Sequence, residues 1–499
     1  MRRTWLRELL GMLAAAALAV LTVSVVASTA RSELLFRDGD SLVVALFTRS
    51  VLAGDALDWA MSSVLFLPES VMFAVLDLLN PADVNGVLAA SAVVNLLALY
   101  GALRLVAGRQ RPGAAPVAWA LVGLGAFGVL AMTETSASRD AMELASLLLT
   151  TTYYSASVVA VVATVGLLRR ALERDGHHSG LLIALGLIAA ASTLSNPLYA
   201  VWATVPIAVI LTVLVVRERR RAPLFVMLAV LLVGTAVGLI ARLPFGPWIA
   251  NTGAEYAQPA RWAQSLVYYG DLVALRLSTP LGVLGCTLSI ALLVIAVWRS
   301  VRAQNRATRL VATAAWVIPL LVAVGAIALG THAARYLQPL AFAPVLALVA
   351  APGALTIPPR IARQLAAVGA AVLVAGGAIS IPRLVAAAHA PDADLACVTD
   401  WVEASGRTGA GQFWTVRLPK LHLDDPGQLV QVDHQLRGYA WLVNRADFEV
   451  AEVSFLVEDA TSVKWQLPVS AVPDEVIGCG RYQILDFGEA KLPLGPQRS

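Results

Sequence analysis

The feature that most constrains this chain is a series of long apolar runs separated by short segments rich in arginine. Residues 9–28, 84–106 and 280–298 are three of these runs, and each has roughly the 20 residues that an α-helix needs to cross a bilayer. Only 14% of the residues are charged, compared with about 25% in an average soluble protein. The sequence therefore predicts a polytopic membrane protein.

The arginines predict which ends of the runs face the cytoplasm. Arg2, Arg3 and Arg7 precede the first run, and arginine-rich segments recur between later runs, for example at 104–111 and 299–309. Because basic loops are retained in the cytoplasm, this pattern predicts a cytoplasmic N-terminus and an extracytoplasmic C-terminus. It places about eleven transmembrane helices at 9–28, 84–106, 116–132, 144–168, 181–194, 198–216, 224–240, 280–298, 310–328, 337–349 and 365–381.

The composition becomes more polar after residue 390. We therefore predict a transmembrane domain over 1–390 and a soluble, extracytoplasmic α/β domain over 391–499, with a helix at 394–405 and strands at 411–417, 449–456 and 481–487. Cys397 and Cys479 both lie in this domain, and they could pair if it faces an oxidising compartment. The sequence leaves their pairing open. The domain is interpreted as an accessory cap or an acceptor-binding module.

The loop after the first span, residues 31–70, is unusually acidic for this chain. Apolar positions recur at helical spacing over 40–52 and 58–66, which predicts two short helices lying at the membrane surface. A third short helix is expected at 69–79. The loop is therefore expected to present its acids at the outer face of the membrane, and these acids are Asp38, Asp40, Asp55, Asp58 and Glu69.

The Asp38-Gly39-Asp40 sequence allows three roles. One carboxylate could act as a general base on an acceptor hydroxyl. The pair could instead hold a divalent cation, Mg²⁺ or Mn²⁺, through oxygen ligands. The third role is structural, in which Asp40 caps the helix that begins beside it.

Other polar groups are predicted on the same outer side. Arg335, with His332 and Tyr336, could bind a phosphate, or the three could simply lie at the lipid–water boundary. Asp58 and Glu69 could contact substrate or belong to a solvated loop. A further polar group could form a second acidic wall or a solvated loop with internal ion pairs. Its members are Glu134, Arg139, Asp140 and Glu143.

These motifs resemble those of the GT-C superfamily of membrane glycosyltransferases, which use polyprenyl-phosphate-linked sugars at the outer face of the membrane. The resemblance lies in the topology, the Arg37-Asp38-Gly39-Asp40 acids after the first span, and the His332-Ala-Ala-Arg335-Tyr336-Leu-Gln-Pro339 turn. It implies that Asp40 or Asp38 is the catalytic base and that Arg335 meets the lipid phosphate. The pattern Asp-Gly-Asp-Ser…Asp-Trp…Leu-Pro-Glu also resembles a group of bacterial membrane proteins of unassigned function, which implies a bacterial cytoplasmic membrane.

The resulting expectation is an inverting glycosyltransferase, of the hexosyl or pentosyl type, whose acids and Arg335 meet in one pocket at the outer leaflet. It needs no cofactor, and a divalent cation is optional. The net charge of +4, without a stripe of basic and aromatic residues, argues against a nucleic-acid partner. The alternative function is a transporter or a non-catalytic membrane protein with an accessory domain. Charges at the outer rim and the lack of an internal repeat favour the enzyme.

Overall fold

The structure is a computed structural model that describes residues 2–80, 83–174, 179–217, 222–353, 358–467 and 471–498. Its α-helices are α1 Arg2–Ala27, α2 Ser32–Phe36, α3 Val43–Ala53, α4 Leu67–Leu79, α5 Val84–Val106, α6 Pro116–Met132, α7 Ser155–Leu172, α8 Ser179–Ser195, α9 Val205–Arg217, α10 Ala222–Ile240, α11 Trp262–Leu277, α12 Pro280–Arg302, α13 Arg306–Ala328, α14 Pro339–Phe342, α15 Leu346–Val349, α16 Pro359–Ala388, α17 Ala393–Ser405 and α18 Phe413–His422. A π-helix spans Ala200–Thr204, and short 3-10 helices span Ser146–Leu149, Leu243–Trp248, Ala254–Tyr256, Pro259–Arg261, Ala334–Leu337, Pro426–Gln428 and Arg445–Glu449.

The strands are short, and all but one follow residue 400. They are β1 Trp59–Ala60, β2 Gly409–Gln412, β3 Leu429–Val432, β4 Arg437–Tyr439, β5 Val443–Asn444, β6 Glu452–Val453, β7 Phe455–Asp459, β8 Glu475–Cys479, β9 Tyr482–Asp486, β10 Leu492–Pro493 and β11 Gly495–Arg498.

Seven helices in the described part of the chain are long and apolar enough to cross a membrane: Trp5–Ala27, Val84–Val106, Ser155–Leu172, Ala222–Ile240, Pro280–Arg302, Arg306–Ala328 and Ala367–Ala388. Their length and composition indicate a membrane protein. The other predicted spans, at 116–132, 181–194, 198–216 and 337–349, coincide with shorter apolar helices.

The chain folds as two compact units. The helical unit comprises residues 1–34, 88–243 and 254–388. The mixed unit comprises 35–87, 244–253 and 389–499. Most of the predicted acidic loop thus folds with the C-terminal region. The division predicted at residue 390 instead assigns this loop to the transmembrane domain. The reason lies in the backbone, because β1 in the acidic loop pairs antiparallel with β5 in the C-terminal region.

Close helix contacts organise the helical unit. Helix α1 packs against α6 and α16, and α8 packs along α10. A Cβ atom at Gly234 of α10 would lie 2.6 Å from the carbonyl oxygen of Gly186 in α8. Small residues at such a contact let two backbones approach closely, as is usual where helices pair within a membrane.

One predicted span, 144–168, is broken in the structure. Helix α7 begins only at Ser155, after Tyr154 adopts a left-handed conformation with φ of 67°. The amide of Asn95 donates to the carbonyl oxygens of Leu148 and Thr150, at 3.0 and 3.2 Å. A side chain from another helix thus satisfies backbone groups that the broken helix leaves unpaired.

The predicted span at 337–349 is also interrupted. The structure has a 3-10 turn followed by the single-turn helices α14 and α15, and Pro339 cannot donate to a helical ladder. Arg299 donates to the carbonyl oxygens of Ala347 and Leu348, at 2.7 and 3.1 Å. Between the predicted spans at 224–240 and 280–298, the structure adds helix α11 over Trp262–Leu277.

The mixed unit is built on a seven-stranded sheet with the order β11-β4-β3-β2-β7-β9-β8. Strand β2 is parallel to both β3 and β7, and β11 is parallel to β4. The remaining neighbouring pairs in this sheet are antiparallel. Alternate residues of strand β7 belong to two different hydrophobic cores. Phe455 and Val457 lie in the first core, and Leu456 lies in the second. Helix α17 contributes Val398 and Val402 to the first core.

Two local predictions in this unit are wrong. The predicted strand at 411–417 ends at Gln412 and continues as helix α18, because parallel strands β2 and β3 require a crossover connection. The predicted helix at 58–66 is extended at its start, where β1 pairs with β5 and the Met61 amide donates to the Trp248 carbonyl at 2.5 Å. The helix at 394–405 and the strand at 481–487 agree with α17 and β9.

Candidate functional site

The Asp38-Gly39-Asp40 turn leads into helix α3 of the mixed unit. Asp38 Oδ2 accepts hydrogen bonds from the amide and the hydroxyl of Ser41, at 3.2 and 3.3 Å. Asp38 thus closes a local turn before α3. The N-cap of α3 is Leu42 and has no side-chain cap bond, so the structural role expected for Asp40, capping this helix, is not found among the described residues. Both carboxylates are partly exposed, whereas Gly39 between them is buried.

Arg417 of helix α18 holds this turn. Its Nε donates to the carbonyl oxygen of Gly39 at 2.8 Å, and its Nη1 donates to the carbonyl oxygen of Leu442 at 2.6 Å. The guanidinium lies 4.8 Å from the ring centre of Phe413, and Arg417 is 1% exposed. A buried cation is thus fixed beside two carboxylates.

The charge of Arg417 depends on its neighbours. Burial lowers the pKa of Arg417 to about 10, and the charges of Asp40, then Asp38, offset part of that effect. Arg417 therefore remains protonated at neutral pH. Sequence reasoning did not select this residue, although an arginine between apolar and aromatic positions in Phe413-Trp-Thr-Val-Arg417-Leu is a signal for a buried cation.

Gln431 of strand β3 supports the arginine in turn. Its Oε1 accepts from Arg417 Nη1 at 3.3 Å, while its Nε2 donates to the carbonyl oxygens of Tyr439 and Trp441, both at 2.8 Å. Gln431 is 1% exposed. The acidic turn is therefore connected to the central sheet through two buried side chains.

A chain of ion pairs begins at the residue before the turn. Arg37 Nε lies 3.2 Å from Asp392 Oδ2. Nη2 of Arg481 lies 2.7 Å from the same oxygen. Burial raises the pKa of Asp392, but the hydrogen bonds from Arg481 and the Leu395 amide and the charge of Arg37 outweigh it, so this pKa lies below its ordinary value. Asp392 thus stays ionised as the cap of helix α17.

A disulfide bond lies in the same region. It joins Cys397 of α17 to Cys479 at the end of β8, with their Cα atoms 5.5 Å apart. The bond ties α17 to the β8–β9 hairpin that carries Arg481. The pairing that the sequence left open is therefore present in the structure.

The other two acids proposed from the loop sequence occupy different environments. Asp58 Oδ1 pairs with Arg445 Nη1 at 2.8 Å, and its side chain remains 59% exposed. Glu69 lies in the first turn of α4 and is 4% exposed. Asp58 thus belongs to the edge where β1 meets β5, while Glu69 is a buried acid at the start of a helix.

The helical unit contains a polar cavity of about 300 Å³ around the predicted Arg335 group. Gly330 forms its turn with φ of 64°, and a Cβ atom there would collide with the carbonyl oxygen of Gln258. The Gln258 amide donates to the Leu329 carbonyl at 2.7 Å, so the two walls are joined by backbone. The cavity is lined by Glu255, Tyr256, Gln258, Arg261, Gly330, His332, Ala333, Arg335 and Tyr336.

The charges of the cavity are mainly positive. Arg335 and Arg261 contribute guanidinium groups, and Glu255 is the acid in the lining. Arg335 Nη1 also lies 3.7 Å from Asp140 Oδ1, whose side chain is 45% exposed. At this distance and exposure the pair is worth at most about 1 kcal/mol.

Aromatic rings surround these charges. Tyr336 stacks on Tyr154 with centroids 6.5 Å apart and meets Tyr256 edge-on at 6.4 Å. Tyr268 lies edge-on to His332 at 5.3 Å. The predicted Arg335, His332 and Tyr336 are therefore brought together. The structure adds Arg261, Glu255 and Tyr256, which lie between the predicted spans at 224–240 and 280–298.

Glu134 and Glu143 form neither a solvated loop nor an exposed wall. Both are nearly fully buried with Arg31 and Arg276. Arg276 Nη1 lies 2.5 Å from Glu143 Oε1, and Arg31 lies 3.5 Å from Glu143 and 3.9 Å from Glu134. Ser146 donates its amide to Glu134 at 2.7 Å. This group is a buried ionic network of the helical unit.

No group of three or more histidine, cysteine, aspartate or glutamate side chains is arranged to hold a metal ion within the described residues. No protein-family model matches the chain, and no curated protein matches it in sequence. Function is therefore argued from the chemistry of the acidic turn and the polar cavity.

Proposed function

We propose that this chain is a membrane glycosyltransferase that moves a sugar from a polyprenyl-phosphate donor to an acceptor at the outer face of a bacterial cytoplasmic membrane. The observation that supports it best is the polar cavity of the helical unit, where two guanidinium groups lie among tyrosines. A sugar phosphate presents the matching chemistry, with an anionic phosphate and a ring whose C–H face packs on aromatic surfaces.

In this proposal the donor phosphate binds Arg335 and Arg261, and His332 supplies a further hydrogen bond. Tyr256 and Tyr336 form the wall against which the sugar packs. Guanidinium groups bind phosphate oxygens in pairs, and they also stabilise the negative charge that grows on the phosphate as it leaves. The polyprenyl tail remains in the lipid bilayer.

Asp40 is the preferred base. Arg417 holds the Gly39 peptide that leads directly into Asp40, so the backbone that carries this carboxylate is fixed. Asp40 accepts the proton of the acceptor hydroxyl as its oxygen attacks the anomeric carbon. The bond between that carbon and the phosphate oxygen breaks, and the phosphate keeps the electron pair. One displacement of this kind inverts the anomeric configuration.

The residues of the acidic turn suit a general base better than they suit a metal site. The cation of Arg417 lies beside the two carboxylates, and it would repel Mg²⁺ or Mn²⁺. Asp38 is occupied by Ser41. We therefore propose transfer without a divalent cation.

The proposed topology has eleven spans, a cytoplasmic N-terminus and an extracytoplasmic C-terminal region. Seven membrane-length helices support seven of these spans, and the other four proposed spans coincide with shorter apolar helices. Labelling of single cysteines by a membrane-impermeant maleimide tests this arrangement. A cysteine at Glu489 should react in intact spheroplasts, and one at Arg111 should react only after lysis.

The enzyme assay uses membranes supplied with polyprenyl-phosphate hexose or pentose labelled in the sugar. Release of free polyprenyl phosphate and transfer of label to envelope material are both followed. We expect Asp40→Asn to reduce transfer by about 100-fold or more, because a general base contributes roughly 10²–10⁴-fold. Asp55→Asn, at an exposed acid of the same loop, is the matched control and should transfer normally. Undiminished transfer in both Asp38→Asn and Asp40→Asn would refute the assignment of the base.

Transport is the second candidate function. The interrupted helices α14 and α15 and the π-helix Ala200–Thr204 resemble the discontinuous segments at which transporters bind substrate. Reconstituted vesicles distinguish the two functions. A transporter moves a labelled polyprenyl-phosphate sugar between leaflets and leaves it intact, whereas a transferase cleaves it.

A further inference from the structure

Arg417 is a buried cation that joins the central sheet to the acidic turn. A buried guanidinium is costly unless its hydrogen-bonding groups are satisfied, yet Nη2 has no hydrogen-bond partner among the described residues. Its Nε donates a hydrogen bond to the carbonyl oxygen of Gly39, the residue between the two candidate acids. The largest attractive charge acting on it is that of Asp40.

We propose that Arg417 is a positioning residue for the catalytic base, and that the C-terminal region is therefore an integral part of the transferase. The inference depends on the proposed function, because it assigns to Arg417 the task of holding Asp40 in place. It replaces the expectation that residues 391–499 form an accessory module.

The contacts around the turn support a positioning role. The Gly39 peptide is fixed by Arg417 from one side, and a Cβ atom at Gly39 would lie 3.2 Å from Trp414 and 3.3 Å from Arg417. Leu442 and Gln431 fix the other end of the guanidinium. The turn therefore has one tightly packed arrangement against helix α18, and the base follows it directly in sequence.

The charges that face Arg417 are Asp40, Asp38 and Asp447. Asp447 is already paired with Lys420, whose Nζ lies 2.6 Å from its Oδ2. Asp40 is the acid that attracts Arg417 most strongly, and the guanidinium in turn favours the ionised form of that carboxylate. Removal of this cation makes ionisation of the base less favourable, and the acidic limb of the pH–rate profile should move to higher pH.

The test compares Arg417→Met and Arg417→Lys with Arg407→Met in the full-length protein. Arg407 is the matched control, because it pairs with Asp486 at 2.7 Å within the same unit and, in the described part of the chain, bonds to Asp486 and Gly488 and not to the acidic turn. We expect Arg417→Met to lower kcat by about 100-fold, the effect of a small misplacement of a reacting group, with little change in the KM for the donor. The Lys variant should keep the wild-type acidic limb and recover part of kcat.

Amide hydrogen exchange provides a readout that does not depend on activity. In Arg417→Met, exchange at residues 39–43 should rise about tenfold while strands β2, β3 and β7 keep their protection. Arg407→Met should leave exchange at the turn unchanged. Normal exchange at the turn together with normal kcat in Arg417→Met would overturn the positioning role. If the wild-type protein showed no transfer, the proposed function would fail, and faster exchange at the turn would still identify Arg417 as its anchor.

Discussion

Arg417 Nε donates a hydrogen bond of 2.8 Å to the carbonyl oxygen of Gly39, a residue 378 positions earlier in the chain. This bond joins the acidic turn that follows the first helices to a helix of the C-terminal region. The two segments belong to one compact unit. The proposed catalytic turn is therefore held by a residue that comes far later in the chain.

The first prediction concerns the polar cavity. Gly330→Ala should abolish donor binding, because a Cβ atom there collides with the Gln258 carbonyl and φ of 64° is unfavourable for alanine. Gly325→Ala, on the helix that leads to the cavity, meets nothing within 4 Å and should bind normally. Equilibrium binding of a labelled polyprenyl-phosphate sugar to the purified variants measures both. Equal affinity in the two variants would show that the donor binds elsewhere.

The second prediction concerns the buried network around Arg31. Arg31→Met should destabilise the helical unit by about 3–5 kcal/mol, because it leaves Glu134 buried without its cation and Glu143 with Arg276 alone. Arg31 also donates to the carbonyl oxygens of Ser136 and Ser138, at 3.0 and 2.7 Å. Thermal unfolding in detergent should show a clear loss of Tm.

Arg111→Met is the control for that change. Arg111 is 55% exposed and lies 3.8 Å from Glu173, and an exposed pair contributes only about 0–1 kcal/mol. Similar Tm values for the two variants would contradict the structural role assigned to Arg31.

The third prediction concerns the disulfide. Replacement of Cys397 and Cys479 by serine should destabilise the mixed unit by about 2–5 kcal/mol, since the bond closes a long loop in the unfolded chain. Cys286→Ser, at the free cysteine, should have little effect. Peptide mapping of the unreduced protein gives the direct check, and recovery of Cys397 and Cys479 as free thiols from intact cells would contradict both the bond and an oxidising location.

The fourth prediction concerns metal dependence. Transfer should continue at an undiminished rate after dialysis against EDTA, because Arg417 already supplies the positive charge beside the two carboxylates. Loss of transfer in EDTA and its recovery with Mg²⁺ or Mn²⁺ would favour the metal-binding role of Asp38 and Asp40 over the base role.

The sequence predicted the features that depend on local pattern. Apolar runs of membrane length, the change of composition after residue 390 and the helix at 394–405 each follow from a continuous stretch of residues. The grouping of His332, Arg335 and Tyr336 also follows from their proximity in the chain. That these residues line a cavity with Arg261 and Glu255 could not be predicted, since those residues come from a distant segment.

The misplaced elements share a physical cause. The segment at 58–66 has helical periodicity, but its start pairs with strand β5, nearly 400 residues away in sequence. The segment at 411–417 has strand-like composition, but it begins the crossover between two parallel strands. Arg417 was missed because its partner is a backbone carbonyl, and no residue type at Gly39 signals that contact. Long-range pairing therefore overrode local preference at these positions.

Separation of donor binding from transfer tests the central claim most directly. Purified Asp40→Asn and Arg335→Gln proteins are compared in equilibrium binding of a labelled polyprenyl-phosphate sugar and in single-turnover release of polyprenyl phosphate. We predict that Asp40→Asn binds the donor as the wild type does and releases product at least about 100-fold more slowly. Arg335→Gln should bind the donor at least about tenfold more weakly, the loss of one charge-assisted contact. Normal product release by Asp40→Asn, with normal binding by Arg335→Gln, would contradict the account.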